Sequence, residues 1–283
     1  MKTLKKLRHA FALCGISALF TGPAQAMPAL DPLMTGAAPT AAGQGLAGAW
    51  YKVNDDARFS NYQWSEGGAA STEVKNFGWG TGIWSTMDIA DIASGQNPNV
   101  TAIAHTVSDI SFANNLYNNT YGASPWHVDG VRPLAPIVIA VGGGETNYAA
   151  VFTGYLYVAT SGKYDFGVFS DDGFSFSLTG ANGLLGMGQD NVAESSGRSY
   201  FSLAEENDLL GGVDLSVGYY AINLNYYNRL EAGVIDLGWA GPDGQWSLIP
   251  PEVLLNHVPE PASVALFSLG LLGVWGVRRK RRA

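Results

Sequence analysis

FSDDGFSF, Phe169 to Phe176, sets two adjacent carboxylates and a glycine between two segments in which apolar and polar residues alternate. Upstream, KYDFGVFS (Lys163–Ser170) places Tyr164, Phe166 and Val168 on one face, because side chains alternate along a strand. Downstream, Phe174, Phe176 and Leu178 share a face, with Ser175 and Ser177 opposite. Asp and Gly favour turns for ordinary backbone reasons, so the stretch reads first as two strands joined by a turn. A turn alone does not need two like charges side by side.

The same alternation extends outward. VFTGYLYVAT (Val151–Thr160) reads as a strand that Ser161-Gly162 turns into the next. Tyr220, Ile222, Leu224 and Tyr226 alternate with Ala221, Asn223, Asn225 and Tyr227. With 36 glycines, 13 tyrosines, no internal repeat and no long helical period, the chain reads as all-β, an antiparallel β-sandwich or barrel. No Pro- or Ser-rich linker divides residues 45–250, which predicts one domain there. The stretch before it, 27–44, reads as a flexible leader. Asp55 to Thr146 is rich in Gly, Asn, Ser and Trp and resists placement. Its Trp64, Trp79, Trp84 and Trp126 suit either a core or a face on which sugar rings stack, and the core is the commoner use.

Both ends carry targeting signals. A basic MKTLKKLRH, the apolar run Ala10 to Phe20 and the small-residue site AQA predict a signal peptide over 1–26 and hence export. At the other end, Pro259 and Pro261 interrupt regular structure, 262–277 is apolar and uncharged, and five basic residues fill 278–282. The apolar segment is short for a membrane span, and the basic cluster keeps its flank cytoplasmic.

Four of the 16 basic residues sit in the leading segment and five in the tail, leaving seven against all 24 acidic residues and a net charge near −17. Such a surface repels nucleic acid and attracts divalent cations. The single cysteine, Cys14, falls in the signal peptide, which excludes a disulfide framework and a cysteine metal site from the exported part.

Val258, Pro259, Glu260 and Pro261, followed by the short span and the basic cluster, resemble a PEP-CTERM sorting signal, over 258–283. The resemblance implies an exosortase substrate of a Gram-negative bacterium that makes exopolysaccharide. It implies a temporary membrane anchor and then release to the cell surface or matrix. A permanent tail anchor is the competing reading. GLAGAWYKV, the strand pair ending in SDDG, GYYAINLNYYNRLEAGVIDLGW and WAGPDG also come in the order of a PA-14 domain, the β-barrel domain of protective antigen, flocculins and adhesins.

In the sugar-binding members of that family an aspartate pair joined by a cis peptide holds Ca²⁺, and a second loop adds an Asn side chain and two main-chain carbonyls. Carried over, the resemblance implies Asp171, Asp172, Asn228, Leu230 and Ala232 as the metal site, the last two through their carbonyls, with Asp171, Asp172 and Asn228 also meeting the ligand. Calcium takes six to eight oxygens of these kinds, and this shell leaves room for two sugar hydroxyls. The chain lacks the cysteines that brace the fungal lectins, which leaves their outer loops without a counterpart. The expected function is calcium-dependent carbohydrate binding by a non-catalytic surface or exopolysaccharide-associated protein. The alternative is a structural biofilm-matrix protein in which calcium only stabilises the fold or cross-links chains.

An enzyme is the weaker class. His105, His127 and His257 lack metal-ligand spacing, and neither G-x-S-x-G nor H-E-x-x-H occurs. VGGGET, Val141 to Thr146, lacks the Lys and Ser/Thr of a phosphate loop. Glu194, Glu205 and Glu206 could supply a glycosidase acid and base, but any acidic chain offers such candidates.

Overall fold

Alternating apolar residues become strands wherever a second sheet is there to cover their inner face, and this chain supplies two sheets. The computed structural model describes residues 29–39, 44–55, 65–66, 69–70, 82–122, 126, 131–142, 145–189 and 212–257. In chain order the first strands are β1 (Ala29–Leu30), β2 (Leu46–Val53), β3 (Ser65–Glu66), β4 (Ala69–Ala70), β5 (Val100–Ser108) and β6 (Ser111–Ala113). They are followed by β7 (Tyr148–Val158), β8 (Gly162–Asp171), β9 (Phe174–Gly180), β10 (Gly183–Gln189) and β11 (Val213–Leu215). The last are β12 (Gly218–Asn228), β13 (Val234–Ala240), β14 (Trp246–Leu248) and β15 (Leu254–Leu255). Three six-residue helices, α1 (Asp88–Ala93), α2 (Asn115–Thr120) and α3 (Pro136–Val141), lie among them.

One sheet runs β1-β11-β8-β13-β14, with β6 also on β13; the other runs β10-β9-β12-β7-β2-β5, with β15 on β7. Pairing is antiparallel except between β1 and β11. Strands β3 and β4 pair only with each other. The two sheets form a sandwich whose core holds Tyr164, Phe166 and Val168 of β8, Phe174, Phe176 and Leu178 of β9, and Tyr220, Ile222, Leu224 and Tyr226 of β12. Trp50 of β2 lies at its centre, edge-on to Phe112 at 5.2 Å and to Phe152 at 5.3 Å. Each such aromatic pair contributes about 0.5–1.5 kcal/mol beyond area burial.

Two connections change sheet at the same end of the sandwich. The chain leaves β8 in one sheet and enters β9 in the other across Asp172-Gly173, then returns from β12 to β13 through residues 229–233. Main-chain bonds from Asp172 N to Tyr227 O (3.2 Å) and from Tyr227 N to Gly173 O (3.0 Å) fasten the first crossover to the root of the second.

The structure departs from the sequence expectations at both edges of the domain. Part of the expected flexible leader 27–44 is pinned: Leu30 is buried, β1 pairs with β11, and Leu33 N donates to Tyr219 O at 2.9 Å. An apolar side chain beside an open strand edge explains the change, since burial and ladder bonds together order the segment. Past the expected boundary at 250, β15 adds to β7. Gly154 makes room for it, because a Cβ there would collide with Leu255 O. The signal peptide 1–26, Trp64, Trp79, His127, Glu194, Glu205, Glu206, the motif Val258–Pro261, the span 262–277 and the tail 278–282 lie outside the described residues.

Candidate functional site

Asp171 ends β8 opposite Val234 of β13, and the Asp171–Asp172 peptide is cis. Both aspartates are buried. Their backbone is held on every side: Tyr226 Oη donates to Asp171 O at 2.8 Å and Ser170 Oγ to Asp172 O at 2.9 Å. Arg229 N donates to Asp172 Oδ2 at 2.7 Å. Gly173 is required by packing, since a Cβ would fall 2.5 Å from the Tyr227 ring.

Asn228 ends β12 and is fully buried between Tyr227 and Arg229, the two residues that bond to the aspartate turn. Its Nδ2 donates to Glu145 O at 2.8 Å, which fixes which way the amide faces. Its Oδ1 is buried and has no hydrogen-bond partner. Beyond it, alternate carbonyls are committed to the scaffold: Arg229 O accepts from Asn147 N (2.9 Å), Glu231 O from Asn114 Nδ2 (2.7 Å) and Gly233 O from Asn114 N (2.9 Å). The carbonyls of Leu230 and Ala232 alternate with these three. Glu231 takes a left-handed conformation (φ 59°) in the middle of the loop. The Leu230 side chain is exposed, and Ala232 is buried.

Residues that the sequence reading did not single out complete the site. Asn114 is fully buried, and its Oδ1 caps α2 by accepting from Tyr117 N at 2.8 Å while its Nδ2 and N hold the 229–233 loop. An Asn just before a short helix is the cap signal that could have found it. Glu145 acts through its main-chain oxygen, which leaves no side-chain signal; its carboxylate also accepts from Leu116 N at 3.0 Å and Asn115 Nδ2 at 2.8 Å. Helix α2 thereby sits beside Asp171, where Tyr117, Tyr121, Phe169, Ser170, Asp171 and Val234 line a cavity of ≈ 70 Å³. Burial pushes the Tyr117 hydroxyl up to about 12, so it stays protonated in neutral solution.

Two arginines brace this end. The Arg229 guanidinium lies 3.5 Å over the Trp84 ring, and Asp88 Oδ2 accepts from Trp84 N (3.1 Å) and Ser85 N (3.2 Å). Arg132 is paired with Asp236 at 2.8 Å with both side chains fully buried, and Ser111 Oγ donates to the same carboxylate at 2.9 Å. Trp84 is therefore core. Trp126 is half-buried and stacks on Trp246 at 5.8 Å, over Gly167 and Gly238.

The structure thus brings Asp171, Asp172, Asn228 and the 229–233 loop together. Among the described residues no three His, Cys, Asp or Glu side chains gather as a metal centre. Two aspartates with amide and main-chain oxygens would form no such group. His105 stands exposed on β5 and His257 follows β15.

Residues 139–252 match the PA14 domain, and residues 257–282 match the PEP-CTERM protein-sorting motif. No curated protein matches the chain. Among solved structures, the PA14 domain of the MpAFP antifreeze protein aligns with a TM-score of 0.44 at 16% identity, covering 81% of this chain and 98% of that one. The PA14 sugar-binding domain of an RTX adhesin aligns at 0.43 and 15% identity, covering 77% and 100%. The epithelial adhesin 9 A domain of Candida glabrata, solved with Galβ1-3GlcNAc, aligns at 0.39 and 15%, covering 78% and 96%. Asp171, Asp172, Asn228 and Glu145 all fall inside the matched stretch, whereas Asn114 and α2 precede it. Residues 139–252 are thus similar to a PA14 domain, and residues 257–282, behind them, to a PEP-CTERM protein-sorting motif.

Proposed function

We propose that the end of the sandwich holding Asp171, Asp172 and Asn228 binds Ca²⁺ and, through it, a glycan. The protein would act as an exported, non-catalytic lectin or adhesin at the cell surface or in the exopolysaccharide. The observation that carries this reading is Asn228 Oδ1, an amide oxygen buried without a partner beside two buried carboxylates. Leaving such an oxygen unpaired costs roughly 1–3 kcal/mol, and a hard cation would satisfy it while neutralising the aspartates. Two aspartates, Asn228 Oδ1 and the carbonyls of Leu230 and Ala232 fall short of a full calcium shell, and neighbouring sugar hydroxyls would complete it. The RTX adhesin domain and the Candida glabrata adhesin are named for, or solved with, sugars. The sorting motif marks the chain for export with transient anchoring at its C-terminal end and exosortase processing.

The test is calorimetric titration of Ca²⁺ into the purified protein and into an Asp171→Asn, Asp172→Asn variant, followed by a glycan array with calcium or a chelator. One-site binding lost in the variant, with glycan binding that follows calcium, is the expected result. Absence of calcium binding by the parent protein overturns the reading and leaves a structural matrix role in its place.

A further inference from the structure

The cavity under α2 shares a wall with the proposed cation site, because Asp171 contributes to both. Its other walls are mostly aromatic. Tyr117 stands at 79° to Phe169 with centroids 6.2 Å apart, and Tyr121 leans on Tyr117 at 5.5 Å. Behind them the Arg132 guanidinium lies 5.2 Å from the Tyr117 ring and 5.8 Å from the Phe169 ring, locked by its pairing with Asp236. The walls are thus held apart, and the space is part of the fold. Tyr121, 54% exposed, forms the lip. At ≈ 70 Å³ the cavity has about half the volume of a roughly 150 Å³ cavity that admits benzene, so it suits two or three heavy atoms. Ser170 Oγ donates its one proton to Asp172 O, and the rings of Tyr117, Tyr121 and Phe169 with Val234 make the lining mostly apolar, which favours an apolar occupant.

We infer that this cavity is a specificity subsite taking the methyl end of an acetamido or 6-deoxy group on a sugar held at Asp171 and Asp172. The inference rests on the glycan-binding reading above. A sugar ring seated over Asp171 would present its substituents to the mouth of the cavity. Burying one methyl there favours the substituted sugar by at least roughly fourfold.

The experiment measures dissociation constants in calcium for paired sugars: N-acetylglucosamine against glucose, N-acetylgalactosamine against galactose, and 6-deoxygalactose against galactose. The parent protein, Tyr121→Ala and Tyr121→Phe are compared, with calcium titration read alongside. The expected result is a preference for the substituted member of a pair that falls toward unity in Tyr121→Ala and persists in Tyr121→Phe. Sugar binding without that preference, or a preference that survives Tyr121→Ala, overturns the subsite and leaves the lectin reading standing. Calcium uptake with no sugar bound overturns both.

Discussion

Asn228 is the residue whose local chemistry separates a binding site from a turn. Both atoms of its amide are buried, yet only Nδ2 is satisfied, by Glu145 O. A residue kept for stability alone would have both. Asn228→Ala removes one hydrogen bond and also one unsatisfied oxygen, so the two effects on the calcium-free fold largely offset. The expected outcome is a calcium affinity at least about tenfold weaker, with a thermal midpoint in chelator close to that of the parent. Titration and thermal melts check it, and a large loss of stability with unchanged affinity would make Asn228 a purely structural residue. The aspartate pair was legible in FSDDGFSF because both carboxylates are adjacent in sequence. The oxygen of Asn228 was legible only through a family resemblance, because an Asn at a strand end is common in turns.

At the scale of elements, α2 and the 229–233 loop behave as one unit through Asn114. A six-residue helix is far below the length that is stable by itself, so α2 depends on its cap and on packing against Phe169 and Val234. Asn114→Ala removes the cap and the bond to Glu231 O together, at a cost of about 1–2 kcal/mol. Amide hydrogen exchange should accelerate both in α2 and in residues 229–233, while β9 and β12 stay protected. Faster exchange confined to α2 would show that the loop is held independently. The three helices escaped the sequence reading because six residues make less than two turns, too few to show a period of 3.6.

Across the whole molecule, buried tyrosines set an alkaline limit on stability. Burial raises Tyr117 and Tyr220 to about 12, and it raises Tyr148 and Tyr226 as well. A phenol released by unfolding titrates near 10, so above that pH the unfolded chain gives up protons that the folded chain keeps. Stability is therefore unaffected by these groups below pH 10 and falls as pH rises from 10 toward 12 and beyond. Denaturant midpoints at successive pH values should drop only above 10. Midpoints that stay level from pH 10 to pH 12 would show that these rings are less enclosed.

Period-two alternation is a local property, so the sequence by itself determined that Val151–Thr160, Lys163–Ser170, Phe174–Leu178 and Tyr220–Tyr227 are strands, which residues of the last three share a face, and that a carboxylate pair ends one of them. Charge and apolar run length, equally local, marked the two tails. Only the tertiary structure decided that both sheet-crossing connections meet at one end. That meeting sets Asn114 against Glu231, 117 residues away, and Arg132 against Asp236, 104 residues away. It also decided that part of the leader is pinned and that α2 covers a cavity beside Asp171. The physical reason is that a buried polar group bonds whatever partner the packed sheets bring within 3 Å, and chain order does not encode that distance.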